Sequence, residues 1–164
     1  VRTAEDARQA VEWAKYPPEG SRGVGVCRAH GYGATFQSYV DSANTEVLVV
    51  VQIEHIEAVR NIEEICAVPG VDVVFVGPYD LSGTMGLMGE VHHPDVEEAV
   101  SHVLEVARAS GVSPGLLIAE PQDGEVAGCI AEGFRFISIG LDTLMLIRAA
   151  QDLVDKWHQD EDGA

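Results

Sequence analysis

Two acidic residues stand at the ends of apolar runs, where they can do chemistry. The runs are VLVVVQI at 47–53 and VDVVFVG at 71–77; Glu54 follows the first, and Pro78-Tyr79-Asp80 the second. Continuous β-branched runs of this length predict strands buried on both faces, as in a parallel sheet. Consecutive strands are usually neighbours, about 4.8 Å apart. In α/β folds the active site lies at the carboxyl ends of the strands. Glu54 and Asp80 are therefore expected close together there. Two carboxylates that close repel unless a proton or a cation sits between them. An all-oxygen pair with no His or Cys in either motif suits Mg²⁺ or Mn²⁺ better than zinc. Magnesium commonly takes one or two protein carboxylates and leaves its other positions to water or substrate. The alternative is that each acid is a solvated loop residue.

Neighbouring residues extend the pattern. Gln52 lies two positions before Glu54, so a strand turns both side chains to one face. A buried amide there needs a partner, either a substrate oxygen or a side chain that it orients. Gly77-Pro78 makes a sharp exit from the second run. Tyr79, Asp80 and Leu81 then open a helical turn whose backbone N–H groups are free to take a carboxylate or phosphate. A cation beside such a nest describes a site for a 2-oxo acid. The histidines fit less well: His55 points away from Glu54 in a strand, His92 and His93 precede a helix, His102 and His158 read as helix-surface residues, and His30 sits in a glycine-rich loop. No Ser-His-Asp order or GxSxG elbow is present.

These positions need a scaffold, and the chain reads as one α/β domain over its 164 residues. Residues 3–16 are predicted as a helix capped by Thr3, ended by Pro17-Pro18. The glycine-rich stretch 20–33 reads as a loop and matches no dinucleotide or phosphate fingerprint. Helices are expected at 36–43, 56–67, 94–110, 121–132 and 142–157, with strands at 46–53, 71–76, 113–119 and 134–139. The charged tail from His158 is expected to fray. Alternating strands and helices mean right-handed βαβ units, either a small doubly wound sheet or half of a (β/α)8 barrel. The first helix lacks a preceding strand, which favours the half-barrel and a piece of a longer protein.

Composition narrows the function. Acidic residues number 27 against 10 basic ones, for a net charge of -17. Nucleic acid is excluded as a partner, because phosphate binding needs a basic face. Lys15 and Lys156 are the only lysines. An acid-rich, lysine-poor surface fits a protein that stays soluble at very high salt, where self-repulsion is screened; a mesophilic acidic protein is the alternative. No apolar run is long enough to span a bilayer. Cys27, Cys66 and Cys129 form neither a disulfide framework nor a thiolate zinc site, and a cytoplasmic setting is expected.

The segment VQIEHIEAVRNIEEICAVPGVDVVFVGPYDLSGTMG, with YPPEGSRGVG before it and SPGLLIAE and FRFISIGLD after it, resembles the HpcH/HpaI class II pyruvate aldolases. The resemblance covers essentially the whole chain, and the paired QIE and GP-x-DLS motifs carry it. It implies a (β/α)8 barrel of which this chain supplies about the last four strands. It implies a hexamer, often with C-terminal helices exchanged between protomers. It further implies that Glu54 and Asp80 are the metal ligands, that Gln52 and the backbone at Tyr79 and Asp80 bind pyruvate, and that Leu117 and Ile139 line the substrate pocket. Tyr79 replaces a small residue common in that family, which bears on pocket size and aldehyde preference.

The family's histidine base, its supporting aspartates and the arginine at the pyruvate ketone come from the first strands of the barrel, ahead of Val1. The chain is accordingly expected to carry no catalytic residue of its own. The activity implied is cleavage of a 4-hydroxy-2-oxo acid to pyruvate and an aldehyde, with Mg²⁺ or Mn²⁺, or Co²⁺ in their place. The other readings are a lyase for a CoA thioester such as citryl- or malyl-CoA, and a non-catalytic α/β assembly module whose acids are surface charge.

Overall fold

The computed structural model describes residues 1–162. Its elements run α1 (Ala4–Ala14), a 3-10 turn (Arg28–Gly33), α2 (Phe36–Glu46), β1 (Val50–Ile53), α3 (Ile56–Arg60), α4 (Ile62–Cys66), β2 (Val73–Val76), α5 (Pro78–Thr84), α6 (Pro94–Ser110), β3 (Ser113–Ile118), α7 (Glu125–Glu132), β4 (Phe136–Ile139) and α8 (Asp142–Asp162). The four strands form one sheet in the order β1-β2-β3-β4, and every pairing is parallel. A doubly wound sheet would reverse its strand order part-way across. Here neighbours in sequence are neighbours in space throughout. Right-handed crossovers then send every covering helix to the same face, as in a (β/α)8 barrel. The fold is thus α/β, a partial barrel.

The core lies on that helical face. Val51 and Ile53 of β1 and Val74 and Val76 of β2 pack with Ile62 and Ile65 of α4 and with Val103 and Ala107 of α6. Each fully buried Val or Ile contributes roughly 1.5–3 kcal/mol relative to exposure.

The other face of the sheet is open. Val50 and Leu117 are 41% and 38% exposed. This corrects the expectation that β1 is buried on both faces: its residues alternate exposed and buried. A continuous apolar run marks a strand whose two faces are both covered in a closed barrel, and this chain covers one of them. Midway along the open face, Phe75 and Phe136 meet edge to face at 5.9 Å. Between them Gly115 is required, since a Cβ there would lie 2.7 Å from the Phe136 carbonyl oxygen and 3.0 Å from the Phe75 ring.

Several boundaries shift for identifiable reasons. α2 runs on to Glu46, and β1 begins only at Val50, where it meets Val73 of β2. Just before it, the Val49 N–H donates to the Asp72 carboxylate at 2.7 Å. The helix expected at 56–67 is broken at Asn61 (φ -102, ψ 13), whose side-chain amide donates to the Arg2 carbonyl oxygen at 2.9 Å. α7 starts four residues later than expected, because Gly124 at its N-cap is left-handed (φ 85). β4 starts at Phe136 rather than 134. α8 continues as helix to Asp162, where fraying from His158 was expected. Gly163 and Ala164, the end of that tail, lie outside the described residues.

α1 opens with a reciprocal cap. The Thr3 hydroxyl accepts from the Asp6 N–H at 3.2 Å, and the Asp6 carboxylate accepts from the N–H groups of Arg2 at 2.7 Å and Thr3 at 3.0 Å. The Arg2 N–H first, and then that of Thr3, hold the Asp6 carboxyl below its ordinary 3.8. A depressed folded-state pKa stabilises above the unfolded value, and the gain disappears as pH falls through the folded value. Asp6→Asn is therefore expected to melt below wild type at neutral pH, with the gap closing as the solution is acidified below 3.8; paired thermal melts across that range check it.

Candidate active-site half

The parallel register builds the site. Gln52 lies opposite Phe75 and Ile53 opposite Val76, and the Gly77 N–H donates to the Ile53 carbonyl oxygen at 3.0 Å. Glu54 therefore emerges level with Gly77, on the open face with Gln52. A Cβ on Gly77 would lie 3.2 Å from the Glu54 Cβ, 3.4 Å from a Glu54 carboxylate oxygen and 3.4 Å from the Gln52 amide nitrogen. Glycine is what lets the two side chains fold over the end of β2.

α5 starts at once, with Pro78 in its first turn and no side chain capping it. This places Tyr79 and Asp80 in the first turn, where backbone N–H groups have no helical acceptor. Two hydrogen bonds hold the segment. The Ser82 hydroxyl, fully buried, donates to the Tyr79 carbonyl oxygen at 2.6 Å and accepts from the Gly89 N–H at 3.0 Å. The Thr84 hydroxyl accepts from the Ile56 N–H at 3.1 Å and donates to the Leu81 carbonyl oxygen at 2.9 Å, tying α5 to the loop that carries Glu54.

Glu54 and Asp80 line one cleft of about 400 Å³, together with Arg2, His55 and Thr84. Asp80 also borders a second cleft of about 800 Å³, with Gln52, Tyr79, His92 and Leu117 on its walls. The two clefts share Asp80. Among the described residues the Glu54 and Asp80 carboxylates and the Gln52 amide have no hydrogen-bond or ion-pair partner in the protein. Two oxygen donors without partners, with open space beside them, suit a hard cation that keeps water or substrate in its remaining positions. No group of three or more His, Cys, Asp or Glu that could hold a metal ion is found among the described residues.

Ile139 lies elsewhere. It pairs with Ile118, whereas Leu117 pairs with Ser138, so Ile139 faces the opposite side of the sheet from Gln52 and Leu117. His55 and His93 serve as N-caps, their Nδ1 atoms accepting from Glu57 N–H at 3.1 Å and Asp95 N–H at 3.2 Å. Sequence reasoning missed Arg2 and Thr84 as site neighbours. Arg2 arrives from the far end of the chain and carries no local signal. Thr84 is marked only by its place three residues after Leu81.

A sequence profile of the HpcH/HpaI aldolase/citrate lyase family matches residues 1–149. The chain belongs to that family. Its relatives include a 4-hydroxy-2-oxo-heptane-1,7-dioate aldolase of Escherichia coli, 41% identical over 159 residues that make up 96% of this chain and 60% of the relative. A hydroxypyruvate/pyruvate aldolase of Roseobacter denitrificans is 37% identical over 161 residues, 97% of this chain and 62% of the relative. The crystal structure of an HpcH/HpaI aldolase/citrate lyase family protein from Burkholderia cenocepacia superposes with a TM-score of 0.83 at 34% identity, over 96% of this chain and 62% of that one. The chain thus spans about 60% of the length of the family members it matches.

Ser82 is the buried polar group on which the Asp80 segment depends. Ser82→Ala leaves the Gly89 N–H and the Tyr79 carbonyl oxygen without this partner, an expected loss of about 1–3 kcal/mol. Denaturant unfolding checks the magnitude, and faster hydrogen exchange at the Gly89 amide checks the place.

Proposed function

We propose that this chain is the metal- and pyruvate-binding portion of a class II aldolase that cleaves 4-hydroxy-2-oxo acids to pyruvate and an aldehyde. On this reading residues 1–164 form a single aldolase-type domain whose N-terminal barrel strands lie outside the chain. The observation that carries it is the convergence of Glu54 and Asp80 on one cleft, without protein partners and with Gln52 folded beside Glu54 over Gly77. The names of the two aldolase relatives support it.

Glu54 and Asp80 would hold a divalent cation, Mg²⁺ or Mn²⁺ by donor chemistry. When bound, such a cation supplies Lewis-acid stabilisation for charge that develops on the substrate's keto oxygen. Gln52 donates its amide hydrogens to a substrate oxygen on the open face. The Tyr79 and Asp80 N–H groups receive the substrate carboxylate, and the Tyr79 ring narrows the space left for the aldehyde portion. Leu117 forms an apolar wall of the adjoining cleft and keeps water from the bound acid. Ile139 joins that wall only if β4 turns its end when the barrel is complete. The proton from the 4-hydroxyl goes to a base outside this chain.

Assembly as a homo-oligomer, a hexamer by family likeness, is supported by α8. Leu146, Leu153 and Trp157 are exposed along it by 72%, 69% and 59%, a stripe that favours burial against another chain. No helix among the described residues is long and apolar enough to cross a membrane. The excess of acidic residues supports a high-salt habitat. On that view the melting temperature rises in molar salt, and an unchanged melt in dilute and molar salt overturns it.

The central test is isothermal titration with Mn²⁺ and then pyruvate. The chain is expected to bind both while releasing no pyruvate from a 4-hydroxy-2-oxo acid. In the full-length parent, Glu54→Gln or Asp80→Asn is expected to weaken Mn²⁺ binding at least about tenfold, since even outer-shell changes cost that much. Unchanged affinity in both variants removes the ligand assignment, and brisk turnover by the chain alone removes the external base. The family's citrate lyase branch keeps a CoA-thioester lyase as the second reading; a panel of 4-hydroxy-2-oxo acids and acyl-CoA thioesters separates the two.

A further inference from the structure

We propose that Arg2 sets the charge of the Glu54–Asp80 cleft, weakening its hold on a bare cation and strengthening its hold on an anionic 2-oxo acid. This inference rests on the aldolase reading and gives a role to a side chain that the reading leaves unused. Arg2 lines the same cleft of about 400 Å³ as both carboxylates. Of the residues on the walls of the two clefts it is the only arginine or lysine. That is in a chain with 10 basic residues against 27 acidic ones.

The backbone of Arg2 is fixed from two sides. Its N–H donates to the Asp6 carboxylate at 2.7 Å, and its carbonyl oxygen accepts from the Asn61 side-chain amide at 2.9 Å. One residue earlier, the Val1 nitrogen donates to the Gln52 carbonyl oxygen at 3.2 Å. The segment therefore lies against the end of β1 from which Glu54 emerges. The helix expected over 56–67 is interrupted at Asn61, the residue that makes the bond to Arg2. A backbone pinned in this way limits how far the side chain can swing from the cleft.

The guanidinium itself is uncommitted. Arg8 pairs with Glu5 at 2.9 Å, Arg22 donates to the Tyr39 hydroxyl at 3.1 Å, and Arg135 donates to the carbonyl oxygens of Ile130 and Phe134. Among the described residues the Arg2 guanidinium makes no hydrogen bond or ion pair, although two carboxylates share its cleft. It thus leaves the oxygens of both acids free for a cation. A guanidinium keeps its charge at any working pH and suits a carboxylate ligand. With a divalent cation bound, the charges of Glu54 and Asp80 are balanced, and Arg2 leaves one positive charge over. That matches the single negative charge of a 2-oxo acid such as pyruvate. Without Arg2 the loaded cleft loses this attraction, and the empty cleft draws cations more strongly.

The experiment is isothermal titration of the chain with Mn²⁺, and then of the Mn²⁺-saturated chain with pyruvate, in wild type, Arg2→Gln and Arg2→Lys. Asp80→Asn defines which Mn²⁺ belongs to this site. Arg2→Gln leaves both backbone bonds in place. It is expected to bind Mn²⁺ about threefold or more tighter and pyruvate about threefold or more weaker, since one charge acts in opposite directions on the two ligands. Arg2→Lys retains the charge and is expected to hold both affinities within about twofold of wild type. A residue that only supported the local structure would weaken both ligands together when replaced. Joint weakening in Arg2→Gln, no change in either affinity, or the same shifts in Arg2→Lys overturns this inference while the wild-type binding upholds the aldolase reading. A wild-type chain that binds neither Mn²⁺ nor pyruvate at a site removed by Asp80→Asn overturns both.

Discussion

The in-register pairing of neighbouring parallel strands is the constraint on which this end of the sheet depends. The parallel register of β1 on β2 brings Glu54 level with Gly77, and the immediate start of α5 brings Asp80 to the same cleft. Arg2 lines the same cleft, yet among the described residues neither carboxylate forms an ion pair. Local structure holds both acids in place. Gly77 leaves room for Glu54 and Gln52, Thr84 ties α5 to the Glu54 loop, and buried Ser82 anchors the Tyr79 carbonyl.

The same register explains why the open sheet face is chemically mixed. Gln52, Phe75, Gly115 and Phe136 form one row across four strands, polar at one edge and aromatic beyond. Edge-to-face packing of Phe75 on Phe136 over Gly115 fills the middle of that face and leaves Gln52 at the margin beside the clefts. Val50 and Leu117 lie on the same face on either side of that row, and both are exposed.

How much was legible in the sequence follows from where each determinant lies. Strand identity was local: the β-branched runs at 47–53 and 71–77 suffice. The Thr3–Asp6 cap was equally local, three residues apart. The partial barrel needed more, since composition cannot separate it from a doubly wound sheet; the family likeness and the unbroken strand order did so. The break at Asn61 was not legible, because its cause is a bond to Arg2, 59 residues away. Nor was the burial of His30, which depends on Phe36, Tyr39 and Arg22 closing around it from α2 and the preceding loop. A glycine-rich stretch reads as mobile until its one aromatic anchor is seen. Strand alternation placed Gln52 and Glu54 on one face, whereas the sides taken by Leu117 and Ile139 depend on their pairing with Ser138 and Ile118.

Most of the histidines near this end of the sheet are committed to local structure. A general base needs a free nitrogen lone pair within reach of the substrate hydroxyl. His30 turns both ring nitrogens toward Cys27. His55, although it borders the Glu54 cleft, accepts the Glu57 N–H on Nδ1 to cap α3, and His93 does the same for α6. In each of these caps Nδ1 is occupied, so the neutral ring carries its proton on Nε2 and offers a donor, not an acceptor. His92 Nδ1 lies 3.4 Å from the Glu97 carboxylate. His102 is exposed on α6. These bonds commit His30, His55 and His93 to local structure, whereas the side chains of Glu54, Asp80 and Gln52 have no protein partner among the described residues.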